Sequence, residues 1–162
     1  MKLIKDMVIQ NKAPNNRQIL LNLQREPNLG IGKEIVYIYS LMEDEINYPK
    51  QKGKIIYIGE ALRNKEATGK RFQHIFPDDS TSNNYVGNYT ITQYYNLGYK
   101  LNLKIYELDT GEKREDMEHI LSTLHLQKYG SRPIANGSTG QYSTPKYVEM
   151  IFSGNQRYYN LV

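Results

Sequence analysis

The stretch from Glu34 to Gly59, EIVYIYSLMEDEINYPKQKGKIIYIG, decides the fold. Within it, Glu34–Leu41 alternates in a β-branched and aromatic run and predicts a first strand, and Lys54–Gly59 predicts a second. The loop Glu43–Gly53 between them is charged and contains proline and glycine, which favour turns. We therefore expect the two strands to pair antiparallel.

Strand parity then places two tyrosines together. Side chains alternate between the faces of a strand, so the register of the pair decides which residues share a face. In the simplest register, Tyr37 and Tyr57 project from the same face. The opposite face is expected to be wholly aliphatic and to contain Val36, Ile38, Ile56 and Ile58.

Periodicity predicts four further elements after Gly59. Three of them have helical patterns and one has a strand pattern, and two of the helices end at a glycine. The predicted elements are a helix around Lys70–Phe76, a helix over Asn88–Tyr99 closed by Gly98, a third strand over Leu101–Leu108, and a helix over Arg114–Tyr129.

The last of these helices, which Gly130 ends, carries one apolar stripe at 100° per residue. Glu118 lies at the edge of this stripe, whereas Glu115 and His119 fall on the far side. We therefore expect Glu118 to be the acidic residue that faces a semi-enclosed site. The stripe consists of Met117, Ile120, Leu121 and Leu124.

The length of 162 residues fits a single compact unit. Residues 1–30 look like an N-terminal helical extension, because apolar residues cluster between Ile19 and Leu23. Residues 31–162 form the main domain, including a tail rich in Gly, Ser, Thr and Pro from Asn136 to Pro145. The pattern over Lys146–Val162 is too mixed to assign a helix or a strand.

Composition limits the metal ligands, the membrane contacts and the partners that this chain can have. Because there is no cysteine, any metal must be held by oxygen or imidazole ligands, with Mg²⁺ as the default. No apolar run approaches the ~20 residues that a membrane helix needs, so we expect a cytoplasmic protein that contacts no membrane. The formal charge of +4 permits a nucleic-acid partner. Most of the 15 tyrosines are expected to be packing residues.

These residues resemble the GIY-YIG nuclease superfamily. Ile35-Val36-Tyr37 is similar to the first family motif with isoleucine in place of glycine, and Tyr57-Ile58-Gly59 is the second motif intact. The resemblance covers roughly residues 34–140. It implies the α+β class, with an αβ sandwich around a three-stranded antiparallel sheet flanked by helices. It also implies phosphodiester cleavage with one divalent cation, Mg²⁺ or Mn²⁺.

The resemblance also implies a set of site residues beyond the two tyrosines: Arg71, His74, Glu118 and Asn136. Tyr37 would accept a proton and Tyr57 would orient water or metal. Arg71 would clamp the phosphate with help from His74, and Glu118 would hold the metal.

Four positions keep a second interpretation. Arg63 is the alternative to Arg71, and Glu115 is the alternative to Glu118. Asn136 begins an Asn-Gly turn signal, which explains it equally well. His125 follows Glu118 by two helical turns, and a structural histidine is a better interpretation there than support for a metal ligand.

The implied function is a DNA endonuclease. The single-module length and the long loops resemble those of a type II restriction enzyme, which would act on double-stranded DNA as a homodimer because a double-strand cut needs two active sites. The alternatives are a repair or homing nuclease, or a catalytically inert DNA-binding module of the same fold. Isoleucine at position 35 is the residue that hints at the inert form.

Overall fold

The elements of the chain are visible in a computed structural model that describes residues 1–10, 33–62, 88–137 and 145–162. The strands are β1 (Lys2–Ile9), β2 (Glu34–Leu41), β3 (Ile46–Asn47), β4 (Lys52–Gly53), β5 (Ile55–Leu62) and β6 (Leu101–Glu107). The helices are α1 (Tyr89–Asn96), α2 (Arg114–Tyr129), α3 (Pro145–Gly154) and a 3₁₀ helix (Gln156–Leu161). None of these helices is long and apolar enough to cross a bilayer.

The main sheet has four antiparallel strands in the order β1-β6-β2-β5, and β3 pairs with β4 in a separate hairpin. The α+β class is confirmed, but the prediction of three strands in the sheet is wrong. The fourth strand is β1, which lies in the segment predicted to be a helical extension. As an edge strand it exposes Leu3 and Val8, so its polar and apolar residues do not alternate cleanly. The predicted helix near Ile19 lies outside the described residues.

The pairing of β2 with β5 contains a bulge that the sequence pattern does not reveal. Tyr39 lies opposite Tyr57, but the next residue, Ser40, lies opposite Ile55. The extra residue Ile56 therefore turns to the tyrosine face, and the predicted all-aliphatic face is wrong for that residue. Ile58, opposite Ile38, remains on the predicted face.

The sheet separates two apolar cores. The tyrosine core lies on the face that α1 covers, and the α2 core lies on the face that α2 and the C-terminal 3₁₀ helix cover. The tyrosine core contains Ile9, Ile35, Tyr37, Tyr39, Leu41, Ile56, Ala61, Ile91, Leu101, Leu103, Ile105 and Ala135. The α2 core contains Val36, Ile38, Ile55, Ile58, Tyr106, Met117, Leu121, Leu124, Tyr158 and Val162.

The bounds of α2 agree with the sequence prediction at both ends. Gly130 terminates the helix with φ of 82°, a left-handed conformation that glycine adopts without steric cost. The predicted stripe is confirmed, because Met117, Leu121 and Leu124 are buried and Ile120 packs against them. Burial of these side chains against β2 and β5 fixes the helix on the sheet.

His125 on α2 is a buried structural residue. It is 0% exposed, and its Nδ1–H donates to the carbonyl oxygen of Ser131 at 2.7 Å. Its ring packs against Tyr129 and Tyr48, with centroids 4.4 and 4.8 Å away. Burial is the largest cause that lowers its pKa from 6.5 to about 4. The imidazole is therefore neutral in the folded protein near neutral pH.

The burial of neutral His125 predicts that the folded protein loses stability as the pH falls. The unfolded chain protonates His125 near its ordinary pKa, whereas the folded chain resists protonation down to about pH 4. Stability from this group is present above pH 6.5 and is lost as the pH falls towards 4, by about 3 kcal/mol in total. Urea unfolding between pH 7 and 4.5 measures the loss.

The pH dependence of wild-type stability is compared with that of two variants, His125→Gln and His119→Gln. The His125 variant should show a much smaller decrease over the same pH range, while the His119 variant keeps most of it, because His119 is only partly buried. Parallel pH dependence in wild type and His125→Gln would contradict the prediction.

Candidate functional site

Three tyrosine rings form a cluster on one face of the sheet. Tyr37 and Tyr57 have ring centroids 5.8 Å apart, and Tyr39 lies 6.1 Å from Tyr37 and 6.5 Å from Tyr57. The predicted meeting of Tyr37 and Tyr57 on one face is confirmed. Tyr37 is buried at 5% exposure, whereas Tyr57 is partly exposed.

The backbone of Gly59 lies directly beneath the rings of Tyr37 and Tyr57. It lies directly opposite Tyr37 in the strand pairing. A Cβ added at Gly59 would lie 2.5 Å from Cε1 of Tyr57, 2.7 Å from Cζ of Tyr37 and 2.8 Å from Oη of Tyr37. These separations are too short for any side chain, so the two rings can close over the strand only where glycine stands.

Asn136 is joined to the backbone of Ile58, the residue between Tyr57 and Gly59. Its Oδ1 accepts from the N–H of Ile58 at 2.9 Å, and its Nδ2 donates to the carbonyl oxygen of Ile58 at 2.6 Å. The side-chain amide thus replaces a neighbouring strand at the outer edge of β5. Asn136 has a definite structural role next to the tyrosine cluster.

The segment before Asn136 is anchored on both sides. Ala135 donates its N–H to the carbonyl oxygen of Ile56 at 2.8 Å and accepts at its own carbonyl from Nδ2 of Asn88 at 2.9 Å. Asn88 is the N-cap of α1, where its Oδ1 accepts a backbone N–H from Ile91. The turn after α2, the edge of β5 and the start of α1 are therefore tied together.

Glu118 lies on α2, which packs against β5 and β2, and its side chain is partly exposed. Its alternative, Glu115, is exposed and pairs with Arg114, which also binds Glu60. Arg71, His74 and the alternative Arg63 lie outside the described residues. The structure thus brings Tyr37 and Tyr57 together on one face of the sheet, beside the pair formed by Asn136 and Ile58. It does not bring Glu118 to them, because α2 covers the opposite face of the sheet.

Tyr39 is the member of the cluster that sequence reasoning missed. Burial raises its pKa well above the usual 10, and the neighbouring phenols Tyr37 and Tyr57 raise it further. Tyr39 therefore remains protonated under ordinary conditions. The available signal is its parity, because residues i and i+2 of a strand share a face.

Metal-binding side chains do not cluster in the described part of the chain. Over residues 1–10, 33–62, 88–137 and 145–162, no group of three His, Asp or Glu side chains converges. Mg²⁺ typically uses one or two protein carboxylates and keeps several waters, so a single carboxylate at Glu118 is compatible with it.

Comparisons with known proteins give no relative for this chain. No protein family, no curated protein and no solved structure matches it. The residues themselves therefore carry the functional interpretation.

The contact between Gly59 and the two rings predicts the effect of a single methyl group. Gly59→Ala should lower the free energy of unfolding by about 2 kcal/mol, because the added Cβ displaces buried rings. Urea unfolding measures this change. Gly154→Ala is the matched control, since nothing lies within 4 Å of its Cβ position. Equal stabilities of the two variants would contradict the packing described.

The two hydrogen bonds between the Asn136 side chain and the backbone of Ile58 predict a loss of stability when the amide is removed. Asn136→Leu leaves the N–H and C=O of a fully buried residue without these partners, so the unfolding free energy should fall by about 2 kcal/mol. Asn47→Leu, at an exposed position of β3, should change it by less than about 0.5 kcal/mol. An Asn136→Leu protein as stable as wild type would show that the pair contributes nothing.

Proposed function

We propose that this chain is a metal-dependent DNA endonuclease of the GIY-YIG type. The observation that carries the proposal is the packing of Tyr37 and Tyr57 over Gly59 of the edge strand β5, whose backbone Asn136 binds at Ile58. Within that class we propose a type II restriction enzyme that acts on double-stranded DNA. A homodimer would supply the two active sites that a double-strand cut needs.

The difference in exposure between Tyr37 and Tyr57 supports different roles for the two residues. A proton acceptor must reach water at the scissile phosphate, and Tyr57 is partly exposed whereas Tyr37 is 5% exposed. We therefore give proton acceptance to Tyr57, and Tyr37 orients the Tyr57 ring. The resemblance instead implies that Tyr37 is the proton acceptor.

The proposed reaction is hydrolysis of one phosphodiester bond. The phenolate of Tyr57 takes a proton from water, the hydroxide oxygen bonds to phosphorus, and the P–O bond to the leaving oxygen breaks. The guanidinium of Arg71 opposes the negative charge that develops on phosphorus oxygens. His74 supplies a proton to the leaving oxygen. The role of Arg71 is carried over from the family resemblance, and the proton transfer by His74 is part of our proposal.

Glu118 is the proposed metal ligand. Its carboxylate would hold Mg²⁺ or Mn²⁺, and a divalent ion there would polarise the phosphate. Glu118 is partly buried on α2, which packs against β5 on the face opposite the ring of Tyr57. Glu115 is the weaker candidate because it is exposed and paired with Arg114.

Surface charge is compatible with a nucleic-acid partner. The formal net charge is +4, and the hairpin of β3 and β4 carries exposed Lys50 and Lys52, followed by exposed Lys54. Exposed cations are suited to phosphate contacts, which position a protein on DNA.

A second candidate is a DNA-binding module of this fold without nuclease activity. The burial of the first motif favours it: Ile35 is 0% exposed and Tyr37 only 5%. In that case both residues serve the core, and only the fold and the cationic surface would have been kept.

Cleavage of plasmid DNA with Mg²⁺ or Mn²⁺ tests the proposal. We expect cleavage by the wild-type protein and rates lower by about 100-fold in Tyr57→Phe and Glu118→Gln, because each loses a group used in the reaction. Glu115→Gln should cleave at nearly the wild-type rate. Digestion of genome-sized DNA followed by sequencing of the ends should reveal one common recognition motif.

Three outcomes would contradict parts of this proposal. A folded protein that binds DNA but cuts none supports the inert module. Cleavage that is unchanged in both Tyr57→Phe and Glu118→Gln rules out this site. Ends scattered without a motif exclude a restriction enzyme while leaving a nuclease.

A further inference from the structure

The outward face of α1 consists of large uncharged side chains. Tyr89, Gln93 and the C-cap Leu97 follow one another at intervals of four residues, so they form one row along the helix. Tyr89 is 70% exposed and Leu97 is 73% exposed, while Gln93 between them is partly exposed. No charged residue occurs from position 88 to position 99. Surface helices usually carry charges on the face that meets water, so this uncharged row is suited to contact with a partner.

The buried side of α1 fixes the helix on the tyrosine face of the sheet. Ile91 is fully buried in the tyrosine core. The side chain of Asn88, the N-cap, binds both the N–H of Ile91 and the carbonyl oxygen of Ala135. Ala135 in turn donates its N–H to Ile56, the residue before Tyr57. The exposed row therefore stands on a helix that is anchored next to the proposed proton acceptor.

Two exposed lysines lie where the chain leaves α1. The N–H of Met42 donates to the carbonyl oxygen of Lys100 at 3.0 Å, and the carbonyl oxygen of Met42 accepts from Nζ of Lys54 at 2.8 Å. Lys100 also forms an ion pair with Glu43. Lysines hold DNA through its phosphates, whereas sequence is read by uncharged and polar groups at the base edges. The two kinds of group stand side by side at this end of α1.

The row has the chemistry of a helix that reads bases in the major groove. A glutamine amide offers a donor and an acceptor together, which match N6 and N7 of adenine, and apolar side chains contact the methyl group of thymine. The row from Tyr89 to Leu97 is about 12 Å long, which spans about three to four base pairs. The major groove is wide enough to admit an α-helix.

We infer that α1 is the base-reading helix of this protein and that its row faces the major groove of double-stranded DNA. Gln93 binds the edge of a base, Tyr89 and Leu97 make apolar contacts with neighbouring bases, and Lys54 and Lys100 bind phosphates. This inference rests on the proposed function, because DNA is the partner proposed there. It adds the element that determines sequence specificity.

The absence of cysteine from the chain permits a crosslinking test with single thiols. Gln93→Cys is mixed, without divalent metal, with short random-sequence duplexes that carry a disulfide tether on N6 of an adenine or on N2 of a guanine. N6 lies in the major groove and N2 in the minor groove. The protein thiolate attacks the tether disulfide, a protein–DNA disulfide forms, and the small thiol that capped the tether leaves. We expect a yield about tenfold higher with the N6 tether, and Tyr89→Cys should show the same preference.

Ser153→Cys is the matched control. Ser153 is an exposed, uncharged residue on α3, which packs against α2 on the other side of the sheet. Its crosslinking should stay at background with both tethers. Urea unfolding of the three cysteine variants establishes that each is folded.

Sequence specificity gives a second measurement if the wild-type protein cleaves DNA at a motif. Gln93→Ala should lower discrimination about tenfold at one position of that motif, because one base contact is lost. Lys54→Ala should instead weaken binding to all sequences about equally. An unchanged motif in both Gln93→Ala and Tyr89→Ala would overturn the role of α1.

The crosslinking outcomes separate this inference from the proposed function. Equal yields with the two tethers, or a yield from Ser153→Cys that equals that of Gln93→Cys, overturn the inference. A disulfide-linked protein dimer of Gln93→Cys that forms in preference to the DNA adduct also overturns it and marks the row as a contact between two copies of the chain. Plasmid cleavage by the wild-type protein without any crosslink leaves the nuclease and removes the role of α1. Crosslinking through N6 without cleavage of any DNA supports α1 as the reading helix of a DNA-binding module and overturns the nuclease.

Discussion

Two tyrosine rings that close over a glycine backbone constrain the centre of this fold. The rings of Tyr37 and Tyr57 occupy the space where a Cβ at Gly59 would lie. This contact fixes the register of β2 on β5, since a slip by one residue would place a side chain beneath the rings. Gly53 is a second glycine that an aromatic ring covers. Cε1 of Tyr129 lies 2.6 Å from the position that a Cβ at Gly53 would take.

The edge of β5 is closed by a side chain instead of a fifth strand. The amide of Asn136 carries a donor and an acceptor at a spacing that matches a peptide unit, so it satisfies both backbone groups of Ile58. An exposed edge invites pairing with other chains, and covering it removes that hazard. The same segment binds Asn88, the N-cap of α1, through Ala135. The turn that follows α2 therefore positions the beginning of α1.

Sequence patterns predicted the parts of the fold that depend on local periodicity. The bounds of β2 and α2, the Gly130 terminus and the shared face of Tyr37 and Tyr57 all follow from side-chain spacing. The bulge at Ile56 was not predictable, because it arises from pairing between strands. Strand β1 and the bonds of Asn136 likewise depend on residues about 100 and 78 positions away in the chain.

The residues of the candidate site divide into those that the fold requires and those that it does not. Packing accounts for Gly59, and backbone hydrogen bonding accounts for Asn136, so neither residue by itself indicates catalysis. The buried hydroxyl of Tyr39 has no such explanation in the described part of the chain, since the ring alone would fill the space. A polar group that lowers stability without a structural return is the kind of feature that function retains. The case for chemistry at this face therefore rests on the meeting of Tyr37 and Tyr57, with the unpartnered hydroxyl of Tyr39 next to them.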